Sequence, residues 1–196
     1  MTVETLAYRL GCLIHWAPRE RAIRRGLRGL PSSVLEGARL LDVGSGLGQL
    51  SGLARELGLD YVGLEPDDAL RQEAARDFQA AMFLSRGAES LPDLVSPADV
   101  AVLNGVAHHL SDELLRTTLE AARGGRGLVL CDHLRLDGKT HPLAEFLQDR
   151  DQGKFVRPYD DLKSPAGFVL RSSEFFPIGP LGMPWWTYFC NVYTTS

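Results

Sequence analysis

The chain has 196 residues, a formal net charge of −4 and a hydrophobic fraction of 44%. Such a chain can bury one good core; its composition excludes a disordered or fibrous protein, and its charge argues against nucleic acid as the main partner. The three cysteines, Cys12, Cys131 and Cys190, are too widely spaced for a disulfide framework or a zinc motif and favour a reducing cytoplasm. No apolar run approaches the ~20 residues that span a bilayer, and the N-terminus does not resemble a signal peptide.

Residues 1–30 are predicted to be helical and carry five arginines between positions 19 and 28. One interpretation of this basic cluster is a solvated helix face, which is the usual role of a charge run on a helix. The other is a lid or flank that attracts an anionic substrate. Both interpretations place a helix before the first strand.

A glycine-rich loop follows that strand. An apolar run beginning at Leu40 leads into glycines at positions 44, 46 and 48, and after a helix a second strand ends on Glu65. Glycines let the backbone approach a ligand closely, and a helix N-terminus supplies N–H groups and a partial positive charge. A carboxylate at the end of the neighbouring strand can accept two hydrogen bonds from ribose hydroxyls. The pattern predicts a nucleoside-binding α/β domain.

The glycine spacing separates two classes of nucleoside-binding domain. Dinucleotide-binding folds favour Gly-x-Gly-x-x-Gly, which would place the third glycine at position 49, where this chain has Gln49. The sequence Asp-Val-Gly-Ser-Gly-Leu-Gly at 42–48 instead resembles the cofactor loop of class I S-adenosylmethionine-dependent methyltransferases. The resemblance implies that the loop holds the methionine part of the cofactor and that Glu65, with Pro66 beside it, binds the ribose. The loop residues so implied are Asp42, Gly44, Ser45, Gly46 and Gly48.

Strands and helices alternate from residue 39 to residue 133, which predicts a parallel sheet with right-handed crossovers. The resemblance adds two closing antiparallel strands. The predicted fold is therefore α/β: a Rossmann-like doubly wound, mainly parallel seven-stranded sheet with an antiparallel C-terminal strand pair. The predicted elements are helices ending at Gly58 and over 67–79, and strands over 61–64, 80–85, 99–103, 127–131, 168–171 and 185–193.

We expect one methyltransferase domain over residues 1–196. Within it, residues 1–30 are predicted to form an N-terminal helical lid and residues 38–133 the cofactor-binding core. Residues 134–196 are predicted to supply an acceptor-side segment and the closing strands.

The segment Arg-Gly-Ala-Glu-Ser-Leu-Pro at 86–92 resembles the adenine-side segment of the family. The family often carries Gly-Asp-Ala-Glu there, but this chain has Gly87 at the aspartate position, so the usual carboxylate for the adenine amino group is missing. The resemblance implies adenine contacts from the Ala88 backbone, with Glu89 as a substitute carboxylate.

The sequence Leu-Asn-Gly-Val-Ala-His-His-Leu at 103–110 resembles the segment after the fourth strand in small-molecule methyltransferases. The resemblance implies that Asn104 and Gly105 lie under the methionine and sulfonium, and that His108 and His109 line the substrate mouth. A histidine at the carboxyl end of a parallel strand can take a proton from a hydroxyl or amine acceptor. The alternative is that one histidine is a packed support.

Four further residues are predicted to bind the acceptor: Asp132, His133, Arg157 and Trp185. Asp132 and His133 stand where the fifth strand ends, Arg157 is a cation suited to an anionic or carboxylate group, and Trp185 belongs to an aromatic stretch. The alternatives are that Asp132 and His133 are polar residues packed in the protein, that Arg157 lies in a solvated loop, and that Trp185 is a core aromatic. No metal is predicted, because the histidines and carboxylates lack the short spacing of a ligand set.

Together these features predict a cytoplasmic enzyme that transfers a methyl group from S-adenosylmethionine to an oxygen or nitrogen of a small-molecule acceptor by in-line displacement. The first alternative is a non-catalytic S-adenosylmethionine-binding or interaction protein with the same fold. The second is an NAD-dependent oxidoreductase, which the glycine spacing disfavours. Neither a membrane span nor a nucleic-acid partner is expected, and the sequence does not identify the acceptor.

Overall fold

The computed structural model describes residues 3–134, 154–179 and 186–196, with side chains from residue 16 onward. In these ranges seven strands form one sheet in the order β3-β2-β1-β4-β5-β7-β6. The strands are β1 (Arg39–Val43), β2 (Asp60–Leu64), β3 (Met82–Leu84), β4 (Asp99–Asn104), β5 (Gly127–His133), β6 (Phe168–Ile178) and β7 (Trp186–Thr195). The helices are α1 (Val3–Arg28), α2 (Ser32–Leu35), α3 (Leu50–Glu56), α4 (Asp68–Asp77), α5 (Leu91–Leu94) and α6 (Asp112–Ala122).

The central strands β1, β4 and β5 are buried along almost their whole length because helices and loops cover both faces of the sheet. One core, with Leu41, Leu103 and Leu130 at its centre, lies on the α5 and α6 side. The other, which includes Ile23 and Leu27 of α1, lies on the α1 and α3 side. No helix among the described residues is both long and apolar enough to cross a membrane.

The predicted α/β sheet is confirmed, including its antiparallel C-terminal pair. Strand β7 runs antiparallel to both β5 and β6. The predicted end of β6 at residue 171 was wrong, because the strand continues through Pro177 to Ile178. Proline cannot donate to a ladder, but β6 pairs with β7 alone among the described strands, and an edge strand tolerates the missing donor.

The strand order places the reversal of chain direction between β1 and β4. From β1 the chain moves outward to β2 and β3, and then it returns to the other side of β1 as β4. The loops that follow β1 and β4 therefore diverge and open a crevice at the carboxyl ends of the strands, the usual ligand position in such sheets. Two of the sequence motifs with predicted functional residues, the glycine loop and the segment 103–110, fall in these two loops.

Candidate active site

The glycine loop after β1 adopts the conformation that its sequence predicts. Gly44, Gly46 and Gly48 have φ values of 71°, 54° and 72°, in the left-handed region that strongly favours glycine. The loop is also tightly packed: a Cβ atom on Gly44 would lie 2.1 Å from Cγ2 of Val106, and one on Gly48 would lie 2.5 Å from Cζ of Phe83. The first of these contacts brings the loop against the segment that follows β4.

Glu65, at the end of β2, is bonded to the glycine loop. Its Oε2 accepts a 2.8 Å hydrogen bond from the Gly46 N–H, and its Oε1 accepts one of the same length from the Asp67 N–H. The carboxylate is 6% exposed, and burial raises its pKa although the two backbone donors partly offset the rise. Each carboxylate oxygen can accept more than one hydrogen bond, so Glu65 can join the loop to a ribose. Pro66 beside it is exposed.

Asp42 lies in β1, just before the glycine loop, and its side chain is hydrogen-bonded to the neighbouring strand. Its Oδ2 accepts a 2.7 Å hydrogen bond from the Tyr61 hydroxyl, and burial raises the pKa of Asp42 to about 7. Ser45 also turns inward, because a Cβ on Gly63 of β2 would lie 2.6 Å from the Ser45 hydroxyl oxygen. Both side chains therefore face the sheet. The Ser45 backbone is also bonded within the protein, because its N–H donates to the Leu64 carbonyl at 3.0 Å and its carbonyl accepts from the Gly48 N–H at 2.9 Å.

The Glu89 side chain folds back over Gly87. The Gly87 N–H donates a 3.0 Å hydrogen bond to Oε1 of Glu89, and a Cβ on Gly87 would lie 2.3 Å from Oε2. The Glu89 carboxylate thus fills the space that an aspartate at position 87 would use. Ala88 between them is buried at the base of this turn.

Asn104 and Gly105 lie at the end of β4. The Asn104 Oδ1 is buried and has no hydrogen-bond partner among the described residues, so it can accept a hydrogen bond from a ligand. Gly105 has a φ of 69°, and a Cβ there would lie 2.4 Å from Nη1 of Arg19. The guanidinium of Arg19 lies 5.8 Å from the centre of the Tyr188 ring, so α1 delivers a cation to the carboxyl edge of the sheet.

Arg19 is a site residue that the sequence did not single out. Its neighbours Arg24, Arg25 and Arg28 form ion pairs with Glu20, Glu56 and Glu174. These four ion pairs match the helix-face interpretation of the basic cluster, whereas Arg19 reaches Gly105 at the end of β4. The five arginines look alike in sequence, so only the packing of α1 on the sheet distinguishes this one.

A buried network of two histidines and an aspartate stands beside the cofactor loop. Nδ1 of His108 lies 2.6 Å from Oδ1 of Asp132, and the backbone N–H groups of His108 and His133 donate to the same carboxylate at 3.2 and 2.8 Å. The three side chains are 7%, 1% and 3% exposed for His108, Asp132 and His133. The network joins the end of β5 to the short 3-10 turn at Ala107–His109.

Electrostatics define the roles in this network. Burial alone would raise the pKa of Asp132, but the charge and hydrogen bond of His108, with help from His133, lower it well below its ordinary value. Asp132 is therefore a carboxylate at neutral pH and accepts the proton on Nδ1 of His108. In the neutral ring, Nε2 of His108 is then the nitrogen able to accept a proton from another group.

His109 is exposed, and its ring centre lies 4.0 Å from that of His108. His133 stacks on the other side of His108, at 4.3 Å between ring centres, and its Nε2 is buried without a partner among the described residues. One nitrogen or oxygen from each of His108, Asp132 and His133 lies within 4.8 Å of the others, as a metal-ligand set would require. Metal binding would compete with the His108–Asp132 hydrogen bond, so we interpret the cluster as a hydrogen-bonded network.

The four predicted acceptor-binding residues have different positions. Asp132 and His133 belong to the buried network, and Trp185 lies outside the described residues, as do residues 149–153 of the predicted acceptor-side segment. Arg157 is 9% exposed and donates all five of its N–H groups within the protein. No donor of Arg157 remains for an anionic acceptor.

The sheet order and the glycine loop at its switch point define a class I S-adenosylmethionine-dependent methyltransferase fold. A family model described as a methyltransferase domain matches residues 15–164, and the chain belongs to that family. S-adenosylmethionine is accordingly the cofactor.

Two curated relatives also carry methyltransferase names. The ubiquinone biosynthesis O-methyltransferase of Ruegeria pomeroyi is 27% identical over 167 residues, which cover 76% of this chain and 67% of the relative. An uncharacterized methyltransferase of Mycolicibacterium vanbaalenii is 34% identical over 90 residues, which cover 42% of this chain. The chain spans about a third of the length of that second relative (35%).

Solved structures show the same fold at low sequence identity. A S-adenosylmethionine-dependent methyltransferase from Archaeoglobus fulgidus superposes with a TM-score of 0.70 at 16% identity, covering 96% of this chain and 99% of that one. The magnesium protoporphyrin IX methyltransferase of Synechocystis PCC 6803, solved with bound S-adenosylhomocysteine, has a TM-score of 0.66 at 15% identity and covers 93% of this chain and 85% of that one.

Proposed function

We propose that this protein transfers a methyl group from S-adenosylmethionine to an oxygen or nitrogen of a small-molecule acceptor, with His108 as the general base. The observation that carries the proposal is the buried His108–Asp132 pair, which stands beside the cofactor loop on the neighbouring strand end. The name of the Ruegeria relative, an O-methyltransferase, is consistent with an oxygen acceptor.

Bound S-adenosylmethionine supplies an electrophilic methyl group on a good leaving group, so positioning of the acceptor carries most of the catalysis. Fixed orientation can contribute ~7–11 kcal/mol, whereas a general base contributes about 10²–10⁴-fold. In this chain Glu65 would orient the nucleoside end, and the glycine loop, Asn104 and Arg19 would bind the amino-acid end. Asp132 holds His108 with Nδ1 protonated, so that Nε2 can take the proton that the acceptor loses.

The cofactor class is tested by calorimetric titration with S-adenosylmethionine, S-adenosylhomocysteine and NAD in parallel. We expect micromolar binding of both adenosyl ligands and none of NAD, because the glycine spacing and Glu65 suit a single nucleoside. Binding of NAD alone would overturn the assignment of the loop. Binding of the adenosyl ligands by a protein inert toward a broad acceptor panel would support a non-catalytic S-adenosylmethionine-binding protein instead.

The role of Glu89 is tested by removing its carboxylate and then supplying a carboxylate at position 87. We expect Glu89→Ala to weaken S-adenosylmethionine binding roughly 10–100-fold, because a charged hydrogen-bond acceptor contributes about 1.5–3 kcal/mol. The double variant Gly87→Asp with Glu89→Ala should recover most of that affinity, since the aspartate would occupy the space that Glu89 now fills. Calorimetry measures both. Equal affinity of Glu89→Ala and the unmodified protein would remove Glu89 from the cofactor site.

A further inference from the structure

Arg157 makes five hydrogen bonds within the protein. Four of them are to residues 107–112, the region that contains both histidines. Nη1 donates to the Ala107 carbonyl at 2.8 Å, and Nη2 donates to the Leu110 carbonyl at 2.7 Å. Nε and Nη2 also donate to Oδ1 of Asp112, at 3.0 and 2.7 Å. We call residues 107–110, which contain both histidines, the histidine turn.

The backbone beside Arg157 holds the same turn. The Phe155 N–H donates a 3.0 Å hydrogen bond to the His108 carbonyl, and the Phe155 carbonyl accepts the fifth N–H of Arg157 at 3.0 Å. The Phe155 ring lies 5.7 Å from the guanidinium carbon, within the range of a cation–π contact. Three of the four carbonyls of the histidine turn, those of Ala107, His108 and Leu110, are therefore bonded to the segment 155–157.

Within the turn the Leu110 N–H donates to the Ala107 carbonyl at 3.2 Å, so the His108 and Leu110 carbonyls depend on donors from outside it. A 3-10 turn of three residues leaves its last carbonyls without partners in the helix, and the chain then bends into the start of α6. A planar guanidinium can bind two carbonyls and a carboxylate at once, whereas an ammonium is a single point with three donors. Arginine at this position thus fixes both ends of the turn in one geometry.

We propose that Arg157 is a positioning residue that holds the histidine turn so that His108 stays hydrogen-bonded to Asp132. The inference rests on the proposed function, since it gives Arg157 a role in orienting the general base. It replaces the role in acceptor binding that the sequence suggests, because the five donors are already committed. Arg157 acts through the backbone of the turn and does not touch the reacting groups.

The test compares Arg157→Lys with Arg126→Lys. Arg126 is a matched control, because it also donates to backbone carbonyls, those of Ser33, Glu36 and Pro97, at the opposite end of the sheet. The first readout is the proton NMR signal of the His108 Nδ1–H, which a buried carboxylate moves far downfield and protects from exchange. Its assignment comes from its loss in His108→Gln.

We expect the downfield signal to broaden or disappear in Arg157→Lys and to remain in Arg126→Lys. Once an acceptor is known, the single-turnover rate at saturating cofactor and acceptor should fall about 10–100-fold in Arg157→Lys alone, while cofactor affinity stays within twofold. Added guanidinium should partly restore the signal in Arg157→Ala. If the Arg157 variants fail to fold, Asp112→Asn is the substitute. It weakens one partner of Arg157 and should disturb the histidine turn less, because the Asp112 side chain is 91% exposed.

An unchanged Nδ1–H signal in folded Arg157→Lys, or an equal loss in Arg126→Lys, would overturn the positioning role. Because this signal is measured without cofactor or acceptor, its outcome is separate from the proposed function. If the Nδ1–H signal is lost in Arg157→Lys but the protein transfers no methyl group, the positioning of the histidine turn by Arg157 would stand and the assignment of His108 as a base would be withdrawn.

Discussion

Replacing Gly46 by arginine is expected to abolish S-adenosylmethionine binding, with an affinity loss of at least about 100-fold. Gly46 has a φ of 54°, and its N–H is bonded to Glu65, so any side chain disturbs both the loop and the carboxylate proposed to bind the ribose. Arginine also places a large group where the ligand has to approach the backbone. Calorimetric titration of the purified variant measures the loss.

Gly58→Arg is the matched control for that substitution. Gly58 has a φ of 69° just after α3, and a Cβ there would meet no atom within 4 Å. This variant carries the same left-handed backbone strain, about 1–2 kcal/mol, but away from the cofactor loop. We expect a lower melting temperature and unchanged cofactor binding. Normal binding by Gly46→Arg, or an equal loss in both variants, would contradict the assignment of the loop.

Removing the proposed base, His108, is expected to reduce turnover by about 10²–10⁴-fold while cofactor affinity stays unchanged. His108→Gln removes the proton acceptor, and Asp132→Asn removes the charge that orients it. In Asp132→Asn an amide NH₂ would also face one of the N–H groups that now donate to the carboxylate, so a stability loss of about 1–3 kcal/mol should accompany the lower rate. The measurement is the acceptor-dependent formation of S-adenosylhomocysteine.

His109→Gln is the comparison for these two variants. His109 is exposed, and the described contacts show it stacked on His108 rather than hydrogen-bonded to Asp132. The sequence makes both histidines candidates, and the buried network favours His108. We expect His109→Gln to change turnover less than tenfold. A larger effect there than in His108→Gln would transfer the role of base to His109.

The fold was largely predictable because each signal is local. Apolar strand runs, a glycine after α3 and the serine and aspartate that begin α6 and α4 act within a few residues of themselves. The strand order follows from handedness rules together with the family resemblance. The end of β6 was not predictable, because whether Pro177 breaks a strand depends on having a free edge beside it.

The site was partly predictable for the same reason. The glycine loop and Glu65 are read from one stretch of chain: the three loop glycines have the left-handed φ values expected of them, and Glu65 accepts a hydrogen bond from the Gly46 N–H. The use of Glu89 was suggested by the resemblance, but its folding back over Gly87 required the structure. The sequence suggests a role in acceptor binding for Asp132, because nothing in it pairs Asp132 with His108, 24 residues away.

The sequence alone therefore determined the class of fold, the cofactor loop and the two segments that surround it. It could do so because backbone conformation at glycine and apolar periodicity are local properties of the chain. The tertiary structure alone decided which of the five arginines at positions 19–28 reaches Gly105, which histidine shares a buried carboxylate, and that Arg157 is bonded to a turn 50 residues earlier. These are contacts between side chains and backbone brought together by strand order and helix packing, and the spacing of residues along the chain does not encode them.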